Sequence, residues 1–261
     1  MTLRGLHVSR WIRSKARRCL GSLTKVITDA PVVALTFDDG PDPEVTPRLL
    51  RLLDNNNARA TFFMVGETAQ RYPELVRYMA EKGHALGSHS WDHSAFPLLS
   101  GSQRRDQLRA CECLVQPDGF HLFRPPYGEQ TLASRLDAWW LGYEVVGWSV
   151  TSEDWYEPHA AVMADTLLKR IGPGDIVLLH DAIFDKGLPR RGPMPDRSVC
   201  INRQAMLTAL ECVFQNLTAR FRFVTVPELF QYGSPYYSYW FKQTARPSGL
   251  GRVETLLQRL G

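Results

Sequence analysis

Residues 35–41 read LTFDDGP, so two adjacent aspartates, Asp38 and Asp39, stand where the β-rich run Val32-Val33-Ala34-Leu35-Thr36-Phe37 ends and a Gly-Pro turn begins. Adjacent carboxylates at a strand tip can cap the next helix, because aspartate is a good N-cap and tolerates turn conformations. They can equally belong to a site. Further along, His89-Ser90-Trp91-Asp92-His93 carries two histidines four apart. From a helical turn these can face one centre, and with one carboxylate they make the three-ligand set of a catalytic metal that keeps an open position. Such a pair alone also suits a packed or solvated helix face. Three more polar clusters follow: Arg124-Pro125-Pro126-Tyr127-Gly128, Thr151 to Trp155, and Leu178-Leu179-His180-Asp181.

These residues need elements to hold them. The pattern predicts strands over Val32–Phe37, Ala60–Val65, His84–Ser88, Leu122–Arg124, Tyr143–Val150, Ile176–His180 and Phe221–Val226, with amphipathic stretches between most of them. Leu49, Leu50, Leu52 and Leu53 begin one helical stretch; Leu75, Val76 and Met79 mark another, ended by Gly83 as a C-cap. Seven strands alternating with helices predict an α/β fold of parallel βα units, closed or nearly closed as one barrel. Every polar cluster above then lies at the carboxyl end of a strand, where such barrels carry their active sites. Residues 188–198, rich in Pro and Arg, and the tail from Gly233 read as loops.

The 261 residues are 44% hydrophobic and 22% charged, ordinary for one large-cored globular domain. The net charge of +4 is unevenly spread: residues 1–25 hold seven Lys/Arg and no acid, residues 242–261 hold four and one, and the middle holds 20 basic against 26 acidic side chains. The acidic body gives no basic groove for nucleic acid. In residues 1–30, a basic N-terminal arm, Val8, Trp11, Ile12, Ala16, Cys19, Leu20 and Leu23 fall near helical spacing among Arg10, Arg13, Lys15, Arg17 and Arg18. The arm reads either as a helix for peripheral contact with an anionic lipid surface or as a solvated helix against the body. An arginine-rich, acid-poor start also resembles a transit peptide. With no apolar run of about 20 residues and no h-region after the arginines, neither a transmembrane span nor a cleaved secretory signal is expected, and the chain reads as cytoplasmic, with peripheral attachment through the arm. The five cysteines, Cys19, Cys111, Cys113, Cys200 and Cys212, are odd in number and lack zinc or redox spacing, so buried thiols are expected.

In order along the chain, TFDDGP, HSWDH, RPPYG, SEDW and LLH resemble the motif series of the NodB-type polysaccharide deacetylases, carbohydrate esterase family 4. The likeness spans residues 31–230, so the chain divides into the arm 1–30, a NodB homology domain 31–232 and an aromatic, basic tail 233–261. The resemblance implies a distorted (β/α)7–8 barrel and one divalent ion, zinc foremost, with cobalt, nickel or manganese as alternatives. It makes Asp38 the general base, and Asp39, His89 and His93 the metal ligands. It implies that Arg124 holds the base, that the Tyr127 backbone N–H meets the oxyanion, and that Trp155 and Leu178 wall the acetyl methyl. His180 becomes the acid that protonates the departing amine.

One position departs from the family, whose fourth motif reads Asp-x-x-Asp-Trp: Thr151 replaces the first aspartate, while Asp154 keeps the second. If the first carboxylate sets the ionisation of His180, its loss lowers that pKa unless Glu153 or Asp181 substitutes. The resemblance implies a metal-dependent deacetylase of an N-acetylhexosamine-containing glycan or lipid-linked sugar. The alternatives are an O-acetyl esterase or deformylase on a related sugar, or a catalytically impaired glycan-binding relative.

Overall fold

Val32–Asp38 (β2) is buried along its whole length, because both faces of this strand are covered. Val33, Leu35 and Phe37 join the cluster under the helices, whereas Val32 and Ala34 join a second cluster inside the curl of the sheet. Alternation then puts Thr36 and Asp38 on the inner face as well.

The computed structural model describes residues 19–115, 121–184 and 203–239. After β1 (Gly21–Ile27) and β2 come α1 (Val45–Asn55), β3 (Ala60–Met64), α2 (Gly66–Arg71), α3 (Pro73–Glu81), β4 (Ala85–Ser88), α4 (Gly101–Val115) and β5 (Leu122–Phe123). There follow α5 (Leu132–Trp140), β6 (Glu144–Val145), β7 (Val150–Thr151), α6 (Ala160–Arg170), β8 (Ile176–His180), α7 (Gln204–Leu217), β9 (Arg222–Phe223), α8 (Val226–Leu229) and β10 (Ser234–Tyr239). The large sheet runs β6-β5-β4-β3-β2-β8-β7, with β9 beside β2, and every pairing in it is parallel. It curls into the expected distorted (β/α) barrel, open between β6 and β7.

Helices cover the outside through the faces their sequences set aside. In α1, Val45, Leu49, Leu50 and Leu53 are buried; α3 starts on a proline at its first turn, buries Val76 and Met79, and is followed by Gly83 at φ 77°. Met206, Leu207, Leu210, Val213, Phe214 and Leu217 line the inner side of α7.

Three readings change. The expected strand Tyr143–Val150 is two strands, since the chain leaves β5's edge after Val145 and joins β8's edge at Val150. Between them Gly147 N–H bonds the Leu23 carbonyl and Ser149 N–H the Ile176 carbonyl, so one apolar run crosses the open seam. Phe221–Val226 gives only the short β9 before Thr225 and Glu228 form a capping box for α8. Residues 21–27 and 234–239, read as arm and tail, pair as an antiparallel ribbon, and β1 lies across the seam with Leu23 and Val26 fully buried. Alternation was masked there by the short polar residues Ser22 and Thr24, both of them buried. Residues 1–18, 188–198 and 240–261 lie outside the described residues. Cys111 is a buried free thiol, while Cys19 and Cys212 are half-buried. No helix among the described residues is long and apolar enough to cross a membrane.

Candidate active site

Asp38 ends β2 in register with His180 at the end of β8, so the two sit side by side at the carboxyl edge of the barrel. On the other side of β2 and beyond β3, Ser88 of β4 pairs with Phe123 of β5. The residues that follow, His89 and Arg124, are therefore neighbours. His89 Nδ1 donates to the Arg124 carbonyl at 2.7 Å; a carbonyl only accepts, so the proton is on Nδ1 and the Nε2 lone pair is free.

Left-handed backbone shapes the rim. Of the non-glycine residues with positive φ, Asp39, Ser90, His93, Tyr127, Glu153 and Arg203 all lie on the loops that carry or support these groups. His89 and His93 do not share a helical turn, contrary to expectation. His89 leaves the strand end and His93, at φ 58°, ends an irregular loop pinned by its N–H to Ser90 Oγ at 3.0 Å and by Gln107 Oε1, which accepts from the N–H groups of Trp91 and Asp92. A Cβ at Gly40 would lie 2.3 Å from the buried Asp181 carboxylate, so any larger residue there has to displace that side chain.

The loops bring Asp39, His89 and His93 together, all buried. His93 Nε2 lies 3.2 Å and His89 Nε2 3.5 Å from Asp39 Oδ1, and the three ligand atoms fall within 4.8 Å of one another. Asp39 Oδ2 accepts from the Phe184 N–H at 2.9 Å, whereas Oδ1 is buried with no hydrogen bond of normal geometry among the described residues. A buried oxygen without a donor, facing two imidazole nitrogens, fits a divalent cation of borderline softness. Burial pushes the Asp39 carboxyl up, but the fields of His93, His180 and His89 outweigh it and hold it well below the usual carboxylate range. Burial, the largest influence, pushes His89 down to about 4, keeping it neutral as a ligand must be.

Asp38 borders that trio, its Oδ2 3.8 Å from His89 Nε2, but its other oxygen is held from the opposite side. Its Oδ1 accepts from Arg124 Nη1 at 2.7 Å; the same guanidinium bonds Thr36 Oγ1 and the Gly147 carbonyl and lies over the Phe63 ring at 4.2 Å. Arg124 is wholly buried, so its fork is fixed on every side.

His180 Nδ1 is 3.0 Å from Asp154 Oδ1, and its backbone N–H donates to Asp154 Oδ2 at 2.9 Å. Arg203 bonds both the carboxylate and the carbonyl of Asp154, and the carbonyl of His180. Burial works against a charged His180, yet Asp154, aided by Asp39 and Asp38, raises its pKa above the ordinary value. The expected fall in the His180 pKa is thereby corrected: the partner carboxylate is Asp154, neither Glu153, which is exposed, nor Asp181. Asp181 is pushed up to about 7 chiefly by burial and takes the Thr46 hydroxyl instead. Thr151 Oγ1 accepts from the Glu153 N–H, shaping a turn.

Trp155 meets the His180 ring edge-on at 5.3 Å, and buried Leu178 shares the inward face of β8 with His180. Tyr127 is 38% exposed on the rim, its hydroxyl 3.1 Å from His93 Nδ1. Thus all nine residues singled out in the sequence gather at one end of the barrel. Gln107, Phe184 and Arg203 were missed. Each acts on a partner far along the chain, as Arg203 does on Asp154 49 positions away, and none stands in a motif.

Two imidazoles with a carboxylate can bind a cation. The clamped Asp38 can accept a proton, and the carboxylate-backed His180 can donate one. That combination suits hydrolysis of an acyl group.

Comparison with known proteins agrees. The family model for polysaccharide deacetylase matches residues 25–146. A peptidoglycan-N-acetylglucosamine deacetylase of Bacillus cereus is 34% identical over 218 residues, 80% of this chain and 92% of that protein. A chitooligosaccharide deacetylase of Azorhizobium caulinodans is 34% identical over 166 residues, 62% of this chain and 79% of that one. Among solved structures, a peptidoglycan N-acetylglucosamine deacetylase in complex with a hydroxamate (N-oxidanyl-benzamide) compound superposes with a TM-score of 0.70 at 29% identity, covering 87% of this chain and 98% of that one.

Proposed function

Because the chain belongs to the polysaccharide deacetylase family, carbohydrate esterase family 4, we propose that it is a metal-dependent enzyme that removes N-acetyl groups from a glycan of N-acetylhexosamine units. As a member of that family it is a hydrolase acting on carbon–nitrogen bonds other than peptide bonds, a deacetylase of N-acetylated sugars. The observation that carries the reading is the division of labour between the two aspartates: Asp39 faces both imidazoles, while Asp38, beside them, is held by Arg124.

Asp39 Oδ1, His89 Nε2 and His93 Nε2 would hold a divalent ion, with zinc the best match to two nitrogens and one oxygen and cobalt, nickel or manganese able to occupy the same donors. When bound, that ion supplies Lewis-acid polarisation of the acyl carbonyl and acidifies water. Asp38 accepts the proton from the attacking water, and Arg124 keeps its carboxylate aimed. The Tyr127 backbone N–H stabilises charge on the acyl oxygen. Trp155 and Leu178 enclose the acetyl methyl. His180, its protonated form favoured by Asp154, gives its Nε2 proton to the amine as acetate departs.

Acetate release from peptidoglycan, chitooligosaccharide and lipid-linked N-acetylhexosamine tests the reading. Asp38→Asn is expected to keep its metal by elemental analysis while turnover falls roughly 10²–10⁴-fold, the usual contribution of a general base. Alanine at Asp39, His89 or His93 should lose the metal as well. Full activity of Asp38→Asn, or full metal content in all three alanine variants, would reject the assignment.

A further inference from the structure

The α5 helix, Leu132–Trp140, is turned inside out for a helix on a barrel surface. Its inward side carries Ser134, Arg135 and Ala138. Its outward side carries Leu132 (48% exposed), Leu136 (43%), Trp139 (41%) and Trp140 (76%). The spacing i, i+4, i+7, i+8 makes these one continuous apolar stripe. Isolated exposed apolar residues are normal, but four on one helix face, two of them tryptophans, mark a surface that meets something.

Charge shows what it meets. Arg135, on the buried side of α5, donates through Nε to the Cys19 carbonyl at 3.2 Å and bonds the Gly21 carbonyl and Ser22 Oγ. Gly21 in turn pairs with Tyr239. Cys19 and Tyr239, the first and last of the described residues, are therefore both tied to this helix, directly or through Gly21. Residues 1–18 carry six Lys/Arg and no acid, and residues 240–261 carry four and one, against 21 basic and 26 acidic side chains in residues 19–239. All of the positive excess thus belongs to residues joined in sequence to the two ends that meet α5, on an otherwise acidic chain.

We propose that the outward face of α5 docks the protein on an anionic lipid bilayer, with Leu132, Leu136, Trp139 and Trp140 entering the interfacial layer and the positive charge of residues 1–18 and 240–261 supplying the attraction. Tryptophan suits that layer, being apolar with one hydrogen-bonding edge. Basic charge attracts the protein to the surface, and the stripe converts attraction into adhesion. Leu132 lies five residues beyond Tyr127, so the stripe begins near the rim of the site along the chain.

Co-sedimentation of the full chain with vesicles of phosphatidylcholine alone, and of phosphatidylcholine with phosphatidylglycerol, tests this. The parent is expected to bind the anionic vesicles and to release with added salt. The double variant Leu136→Gln, Trp140→Gln leaves every charge in place and should weaken partition about tenfold or more through lost apolar burial. Its acetate release from a soluble oligosaccharide should match the parent's, which shows that the fold is intact. Equal binding of parent and variant would overturn the proposal, leaving the basic segments as sole attachment. So would absence of parental binding, whether the parent stays monomeric or forms a dimer in the ultracentrifuge that the variant breaks, the latter assigning the stripe to a second copy of the chain.

Discussion

Asp154 does for His180 what Arg124 does for Asp38: each holds a proton-transfer group through a buried charge of opposite sign. Without the Asp154 carboxylate, only Asp39 and Asp38 would oppose burial, and the pKa of His180 would fall. Asp154→Asn is therefore expected to move the alkaline limb of kcat/KM to lower pH, because the acid form of His180 is lost earlier as pH rises. Thr151→Asp should leave that limb in place, since the contact it would supply is already made. Coincident pH profiles for Asp154→Asn and the parent would contradict this. The reactive residues were legible in the sequence because each is a chemistry-bearing type at a strand end. Which of two positions, 151 or 154, faces the histidine was not legible. That choice depends on the turn at Glu153, φ 55°, and on Arg203 reaching back from the start of α7.

At the scale of elements, the strands place the groups and the loops aim them. The turn Pro126–Gly128 is held from behind by Trp148: Gly128 has φ +67°, and a Cβ on it would lie 2.8 Å from the far edge of the indole. Gly128→Ala should cost about 1–3 kcal/mol through strain and contact, and lower kcat by displacing Tyr127. Urea midpoints together with steady-state rates check both halves of this expectation; a stable, fully active variant would show that the turn yields. The strands Val32–Phe37, Ala60–Val65 and Ile176–His180 were legible within one residue because each is a long apolar run buried on both faces. The crossing at 146–149 was not, since leaving one strand for another changes hydrogen-bond partners without changing hydrophobicity.

Over the whole molecule, stability depends on pH through groups far from chemistry. His84, at the foot of β4, accepts the Ala60 N–H on Nδ1 and meets Phe62 edge-on, and burial depresses its pKa to about 4. The folded value lies below the unfolded one, near 6.5, so the unfolded chain binds the proton more readily. This contribution is complete above about pH 6.5 and is lost as pH falls toward 4, on the order of 3 kcal/mol at most. Urea titrations across that range should show a steeper fall for the parent than for His84→Asn, which keeps an acceptor but does not titrate; parallel curves would remove His84 from the account. The barrel class followed from alternating strands and helices, yet the ribbon that crosses its seam did not, because it joins residues as distant as Thr24 and Ser238, 214 positions apart. That separation sets an order of events during synthesis. The strands from Val32 to His180 can assemble as they emerge, but β1 must wait, edge unpaired, until residues 234–239 leave the ribosome, and loop closure over such a span is slow. The nascent protein thus passes through a stage in which its barrel is built and its latch is still open.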